Sequence, residues 1–350
     1  MSDVFSTDHL EQLRRALADS AVAEIPAETP AATLERLVRL GLDRLPLPGR
    51  GRTLLRWQAL ATVAEHDLSL AKLYEGHTDA LAILHEFTGH DTVVQGTWGV
   101  WGAEAPPERL HIASAPTADG HVILNGVKRW CSGAASAQHA LATAWHADDP
   151  RPQLVHVDLR QASVTVESGA WAAVGMAGSP ALDVRMDGAR ARPIGEPGDY
   201  LGRPGFWHGG AGVAACWYGG ALAIARSLHV ATSDTTRRAD ALRSAALGRV
   251  DMHLHATAAL LRELADEIDA EPETDARAGC LRARLAAEAC ATQVLDEVGR
   301  ALGAVPYCRD AAFARMAADL PVFIRQSHAD RDFASLGGAL QELGGPAWML

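Results

Sequence analysis

Lys128, Trp130 and Ser132 stand two apart in the run His121 to Gly133, HVILNGVKRWCSG, and are the first residues in this chain whose types and spacing suggest chemistry. Val122, Ile123 and Leu124 form a short β-rich run. Asn125-Gly126 is the pair a tight hairpin prefers, because both positions tolerate positive φ. The chain is therefore predicted to reverse at that pair. On the returning strand successive side chains point to opposite faces, so Lys128, Trp130 and Ser132 share one of them. An indole beside a hydroxyl suits a flat aromatic ligand. A second run, WAAVGMAGSPALDVRMDG from Trp171 to Gly188, carries Gly175, Gly178 and Ser179. These read as a turn of architectural use, since glycine supplies φ values that other residues avoid. No G-x-G-x-x-G follows a strand and opens a helix, so a dinucleotide-binding crossover is not indicated.

Histidines offer less. His253 and His255 are two apart and diverge on a helix, so they cannot chelate one metal together, and no metal site is indicated. His77, in LAKLYEGHTDALAIL, reads either as facing a ligand cavity or as a satisfied packing residue. The five cysteines, at 131, 216, 280, 290 and 308, are odd in number and lack C-x-x-C spacing, which fits neither a disulfide framework nor zinc.

Taken together, N-G-x-K-x-W-x-[ST] at 125–132 and W-x-x-x-G-M-x-G-[ST] at 171–179 resemble the middle domain of the acyl-CoA dehydrogenase superfamily. The resemblance implies FAD as cofactor, with Trp130, Cys131 and Ser132 against the flavin. It also places Trp98, Val100 and Trp101, in WGVW, on a strand that contacts the same ring. Arg237 falls near an arginine that reaches FAD across a subunit boundary, although the Phe-Gly that normally follows is missing. Gly299 and Gly303, in VGRALG, resemble the glycine-rich segment that receives the neighbouring subunit's cofactor. A homodimer or homotetramer follows from that arrangement, with an acyl thioester as the small-molecule substrate and a protein electron acceptor or oxygen as partner.

Oxidation of an acyl thioester at Cα–Cβ needs a carboxylate to take the α-proton. The family's glutamate would fall at Ile324 or Arg325, in DLPVFIRQSHADRD, or at Gly212, in HGGAGVAAC, and none of these is acidic. Asp319 and Asp330 are the nearest substitutes. Relatives that act as flavin-dependent monooxygenases lack the glutamate and carry polar residues there. Arg325, Ser327 and His328 would suit such a site, so Arg325 and His328 are the candidate substrate-side groups. Acyl-thioester oxidation is the leading expectation, with monooxygenation as one alternative and a non-catalytic flavin-binding or scaffold protein as the other.

The elements needed to position these residues can be traced along the 350-residue chain. It is 48% hydrophobic, long enough for two or three domains and able to bury a large core. A net charge of −11 without a Lys/Arg-rich run argues against nucleic acid or an anionic membrane as partner. The N-terminal stretch has no apolar core of a signal peptide and no run is long enough to span a bilayer, so a cytoplasmic location is expected. The fold class is α+β multidomain. Residues 1–92 read as an N-terminal helical domain, with helices at 8–17, 31–40, 54–63 and 68–87. Residues 93–198 read as a central β-barrel or sandwich of short strands, with no crossover helices to make a parallel sheet. Residues 199–350 read as a C-terminal four-helix bundle, with helical periodicity returning after the glycine-rich piece 205–220 and long helices at 241–268, 276–302 and 309–334. Seven of the nine tryptophans lie between Trp98 and Trp217, which marks the middle of the chain.

Overall fold

A computed structural model describes residues 5–22, 28–91, 95–104, 108–167, 169, 171–233, 240–345 and 348. Four helices come first: α1 (Thr7–Val22), α2 (Pro30–Arg39), α3 (Thr53–His66) and α4 (Leu68–Thr88). Helix α4 starts where the Asp67 carboxylate accepts the Leu70 N–H at 2.7 Å, and it stops at Gly89, whose φ of 74° ends the helix in the left-handed region. Its apolar residues pack on both sides, which makes it a wall between the helical core and the strands.

Seven strands follow: β1 (Trp98–Trp101), β2 (Leu110–Ile112), β3 (Val122–Ser132), β4 (His139–Trp145), β5 (Pro152–Asp158), β6 (Val164–Glu167) and β7 (Ala181–Ile194). The pairing β4–β2–β3–β7–β5 returns to β4 through a β4–β5 ladder, so five strands close a barrel. Strand β1 runs parallel to β4 on the edge that also meets β2, and β6 lies along β7. Ala140, Ala142 and Ala144 of β4 belong to the barrel's buried core, where their small side chains leave room for the Trp101 indole. Leu141 belongs instead to the seam against α4, with Ile83, Trp98 and Tyr200.

The expected reversal at Asn125-Gly126 does not occur. Strand β3 runs straight through the pair, with a bulge at Leu124/Asn125 against β7. Gly126 has φ 122°, and a Cβ there would stand 2.3 Å from the Arg109 carbonyl oxygen, so glycine is needed because β2 passes close by. The Asn125 side chain accepts the Gly188 N–H of β7 at 2.7 Å. A second irregularity, between Lys128 and Cys131, breaks the expected alternation further on.

The C-terminal helices are α5 (Asp199–Gly202), α6 (Pro204–Ser233), α7 (Ala241–Ala270), α8 (Arg277–Leu302), α9 (Ala304–Arg309), α10 (Ala311–Phe323) and α11 (Asp330–Glu342). The glycine-rich piece is not a lead-in but the first half of α6. Its glycines mark close approaches: a Cβ at Gly219 would lie 2.3 Å from the Ala61 carbonyl oxygen of α3. Helix α6 is thus the central post, packed on α3, α4, α8 and α10, with Trp57 and Trp217 buried at its sides. The segment expected as one helix from 309 to 334 is also interrupted. Pro321 lacks the N–H that would bond one turn back, α10 closes in a 3-10 turn at Ile324–Gln326, and Ala329 has φ 48° before α11 begins.

The loop Trp171–Ser179 bolts the barrel to the helices. A Cβ at Gly175 would stand 2.1 Å from the Ala318 carbonyl oxygen, so α10 rests directly on the loop backbone. Met176, at φ 57°, donates its N–H to the buried Asp319 carboxylate at 2.5 Å. Gly178 approaches Ser69 of α4. The second motif is therefore architectural, as its glycines suggest.

Candidate functional site

Between barrel and bundle lies a cavity of about 350 Å³, walled by α4, β1, β3, the start of α6, α8 and the break before α11. Trp130 enters it from β3. The irregularity after Lys128 puts Trp130 at φ 61°, an uncommon conformation for a bulky residue, and leaves it 57% exposed toward the cavity. Ser132 and Val100 border the same space and also a hollow of about 20 Å³ beside Gly133.

The other residues expected around the ring are placed differently. The Trp101 residue borders the cavity, but its indole is buried in the barrel and donates to the Ser132 carbonyl at 3.1 Å. Trp98 is packed between His139 and His156, with ring centroids at 4.8 and 4.7 Å. Cys131 points into the barrel core, where its thiol donates to the Lys128 carbonyl at 3.1 Å and burial pushes its pKa up. It does not border the cavity. Lys128 does not join Trp130 either: it is buried and donates to Glu104 Oε1 at 2.7 Å and Thr143 Oγ1 at 2.6 Å, and burial lowers its pKa. His77 proves to be the packing residue. Its Nδ1 accepts the Trp98 N–H at 3.2 Å, which fixes the tautomer so that Nε2–H faces Asp43 at 3.0 Å.

On the bundle side the two candidates separate. His328 borders the cavity, its backbone N–H donating to Asp332 at 3.0 Å and its Nδ1 3.5 Å from the same carboxylate. Arg325 turns away. It is exposed and paired with Glu288 at 2.5 Å, and it borders an open groove along α8 and α9 with Gly299 and Gly303. Neither glycine touches the cavity. Arg237 lies outside the described residues. Of the positions considered for a catalytic glutamate, Gly212 faces Leu60 and Trp57 of α3, and Ile324 is buried. Asp319 is committed to Met176, and burial raises its pKa against the lowering effect of that hydrogen bond.

Sequence reasoning missed the charged residues that border the cavity with Trp130. Lys72, Glu75 and Asp79 of α4 all border the cavity, with Lys72 Nζ 3.0 Å from Glu75 Oε2. Burial and the neighbouring Glu75 raise the Asp79 pKa, while Arg203, Arg56 and Lys72 oppose the shift. Arg203 lies over the Tyr200 ring at 5.2 Å and pairs with Glu86. Arg284, from α8, donates to the Gly210 and Gln326 carbonyls at 2.7 and 3.2 Å and stays charged although burial lowers its pKa. The signal was present in the sequence: charged residues at i, i+3 and i+7 on an otherwise apolar helix share a face that tertiary packing buries.

No protein-family model matches the chain, and no curated protein matches it. Solved structures do. Dibenzothiophene monooxygenase TdsC from Paenibacillus sp. A11-2 superposes with a TM-score of 0.78 at 19% identity, covering 97% of this chain and 98% of that one. Butyryl-CoA dehydrogenase from Megasphaera elsdenii gives 0.77 at 16% identity, covering 97% and 100%. The chain has the acyl-CoA dehydrogenase fold. Nitrososynthase from Micromonospora carbonacea var. africana matches with 0.76 at 20% identity, covering 95% of each chain. TdsC has also been solved with FMN and indole bound. Among the described residues, no group of three or more His, Cys, Asp or Glu could hold a metal, and no helix is long and apolar enough to cross a membrane.

Proposed function

We propose that the chain is a flavin-dependent oxidoreductase of the monooxygenase kind, acting on a small polar molecule in the cavity under Trp130. One observation carries the reading: five charged residues, Lys72, Glu75, Asp79, Arg203 and Arg284, border the cavity that Trp130 enters. An aliphatic acyl chain laid against those groups would strip them of solvent without replacing its hydrogen bonds, which is costly. A polar substrate would replace them.

The residues present fit a flavin. Trp130 offers an exposed ring face for stacking, Ser132 a hydroxyl, and Gly76, Gly102, Gly209 and Gly210 leave the walls without side-chain bulk. Bound there, a flavin would supply two-electron chemistry. The chain's own groups would handle protons: Asp79 and Glu75 on one wall, and His328 positioned by Asp332 on another. FAD is the form implied by the resemblance. Gly299 and Gly303 would then serve a neighbouring copy in a dimer or tetramer, since they lie on a separate groove. Light scattering of the flavin-loaded protein tests that arrangement, and a monomer would overturn it.

Acyl-thioester oxidation is the second reading, and Glu75 and Asp79 favour it by putting carboxylates in the cavity although the expected positions hold none. Titration with FMN and FAD, followed by flavin fluorescence, comes first; failure to bind either ends both readings. Anaerobic mixing of the flavin-loaded protein with butyryl-CoA then separates them. The monooxygenase reading expects no bleaching. Rapid bleaching that Glu75→Gln or Asp79→Asn abolishes would establish the dehydrogenase.

A further inference from the structure

A second cavity of about 470 Å³ lies behind the first, bordered by the α2–α3 loop, the end of α4, the start of α6 and the α7–α8 loop. Asp79 and Arg203 border both cavities, so they form the partition. Three polar groups at or beside this partition lack hydrogen-bond partners among the described residues, two of them buried. Among the described residues no hydrogen bond reaches the Asp79 carboxylate. Among the same residues the buried Arg203 Nε has no hydrogen-bond partner, and neither does the buried Nε2 of His208, which borders the second cavity. Buried polar atoms without protein partners, beside a polar space of this size, are the setting in which water is held.

We propose that Asp79 is the junction of a hydrated passage that exchanges protons between solvent and the cavity under Trp130, entering through the second cavity rather than past the flavin. The surrounding charges suit that role. Glu75 and Lys72 face Asp79 from its own helix, Arg56 from α3, Tyr200 from α5 and Arg203 from the junction of α5 and α6. Burial and Glu75 raise the pKa of the Asp79 carboxyl, and burial lowers that of His208, so both shifts favour the uncharged forms beside the second cavity. Asp79 is a positioning and relay residue. Its place at the partition stands on geometry, and only the use of the first cavity rests on the flavin reading.

The test is labelling of Asp79→Cys with a small charged methanethiosulfonate in a Cys308→Ser background, the four other cysteines being buried. Labelling should proceed equally with and without bound FMN, and it should slow about tenfold or more when Glu273→Trp obstructs the rim of the second cavity. Protection by FMN, or indifference to Glu273→Trp, would overturn the passage. In the flavin-loaded protein, Asp79→Asn should displace the pH profile of reduced-flavin oxidation by oxygen, and Asp79→Glu should restore it. An unchanged profile in Asp79→Asn would remove Asp79 from the relay. Labelling needs no flavin, so a failure of flavin binding leaves this result readable.

Discussion

Trp130 allows folding and ligand binding to be separated by two substitutions at one position. Its φ of 61° costs a non-glycine residue about 1–2 kcal/mol relative to the right-handed regions. Trp130→Ala keeps that cost and Trp130→Gly removes it, while glycine gives back about 0.5–1 kcal/mol through the greater freedom of its unfolded chain. The glycine variant should therefore be the more stable of the two by about 0.5–1 kcal/mol, the reverse of the usual order within a strand. Both variants lose the indole, and with it about 0.5–1.5 kcal/mol of ring contact, a roughly two- to tenfold weaker Kd for flavin. Thermal unfolding of the ligand-free variants measures the first difference, and fluorescence titration with FMN and FAD the second. An alanine variant more stable than the glycine variant would refute the left-handed geometry. Flavin affinity unchanged from wild type in both would refute the placement of the ring.

Other expectations concern the framework. Gly175→Ala forces a methyl group into the Ala318 backbone and should cost about 1–3 kcal/mol, or more if α10 cannot shift, read as a lowered Tm. Lys128→Met leaves the Glu104 carboxylate and the Thr143 hydroxyl without their shared donor, with a loss of about 2 kcal/mol by chemical denaturation. His156 has its pKa pushed down to about 4, first by burial and then by neighbouring His139. The unfolded chain therefore binds this proton more readily than the folded one. The corresponding stability is present above about pH 6.5 and is lost as the pH falls toward the folded value. His156→Phe should flatten this part of the Tm–pH curve, and an unaltered slope would exclude His156 as its source.

The helices and the order of helical, β and helical segments were legible because amphipathic periodicity and Gly/Pro punctuation are local signals. The features that shape the site were not. Asn125-Gly126 has hairpin chemistry, but the passage of β2 at Arg109 uses the glycine for close approach within a continuous strand. The glycines of α6 read as a loop by propensity, and packing against Ala61 overrides that reading. Alternation along β3 predicted a shared face for Lys128, Trp130 and Ser132, and one irregularity of register removed Lys128 from it and turned Cys131 inward. Lys72, Glu75 and Asp79 were visible as a spacing, but only the closure of the barrel against α4 gives that spacing a cavity to face. His328 and Arg325 are near neighbours in sequence, and the break before α11 is what divides them, leaving only His328 at the cavity.

The cavity under Trp130 belongs to no single layer of the molecule. Its walls come from a helix of the N-terminal group, from strands β1 and β3, and from several of the C-terminal helices. A ligand held there is in contact with all three at once, so any layer that peels away must first release it. At a concentration one hundred times its Kd such a ligand adds about 2.7 kcal/mol to each of these openings. The empty protein can then loosen one layer at a time, whereas the filled protein must open as a unit. Occupancy of the cavity would thus govern cooperativity, and resistance to proteolysis becomes a measure of how much of the protein is loaded.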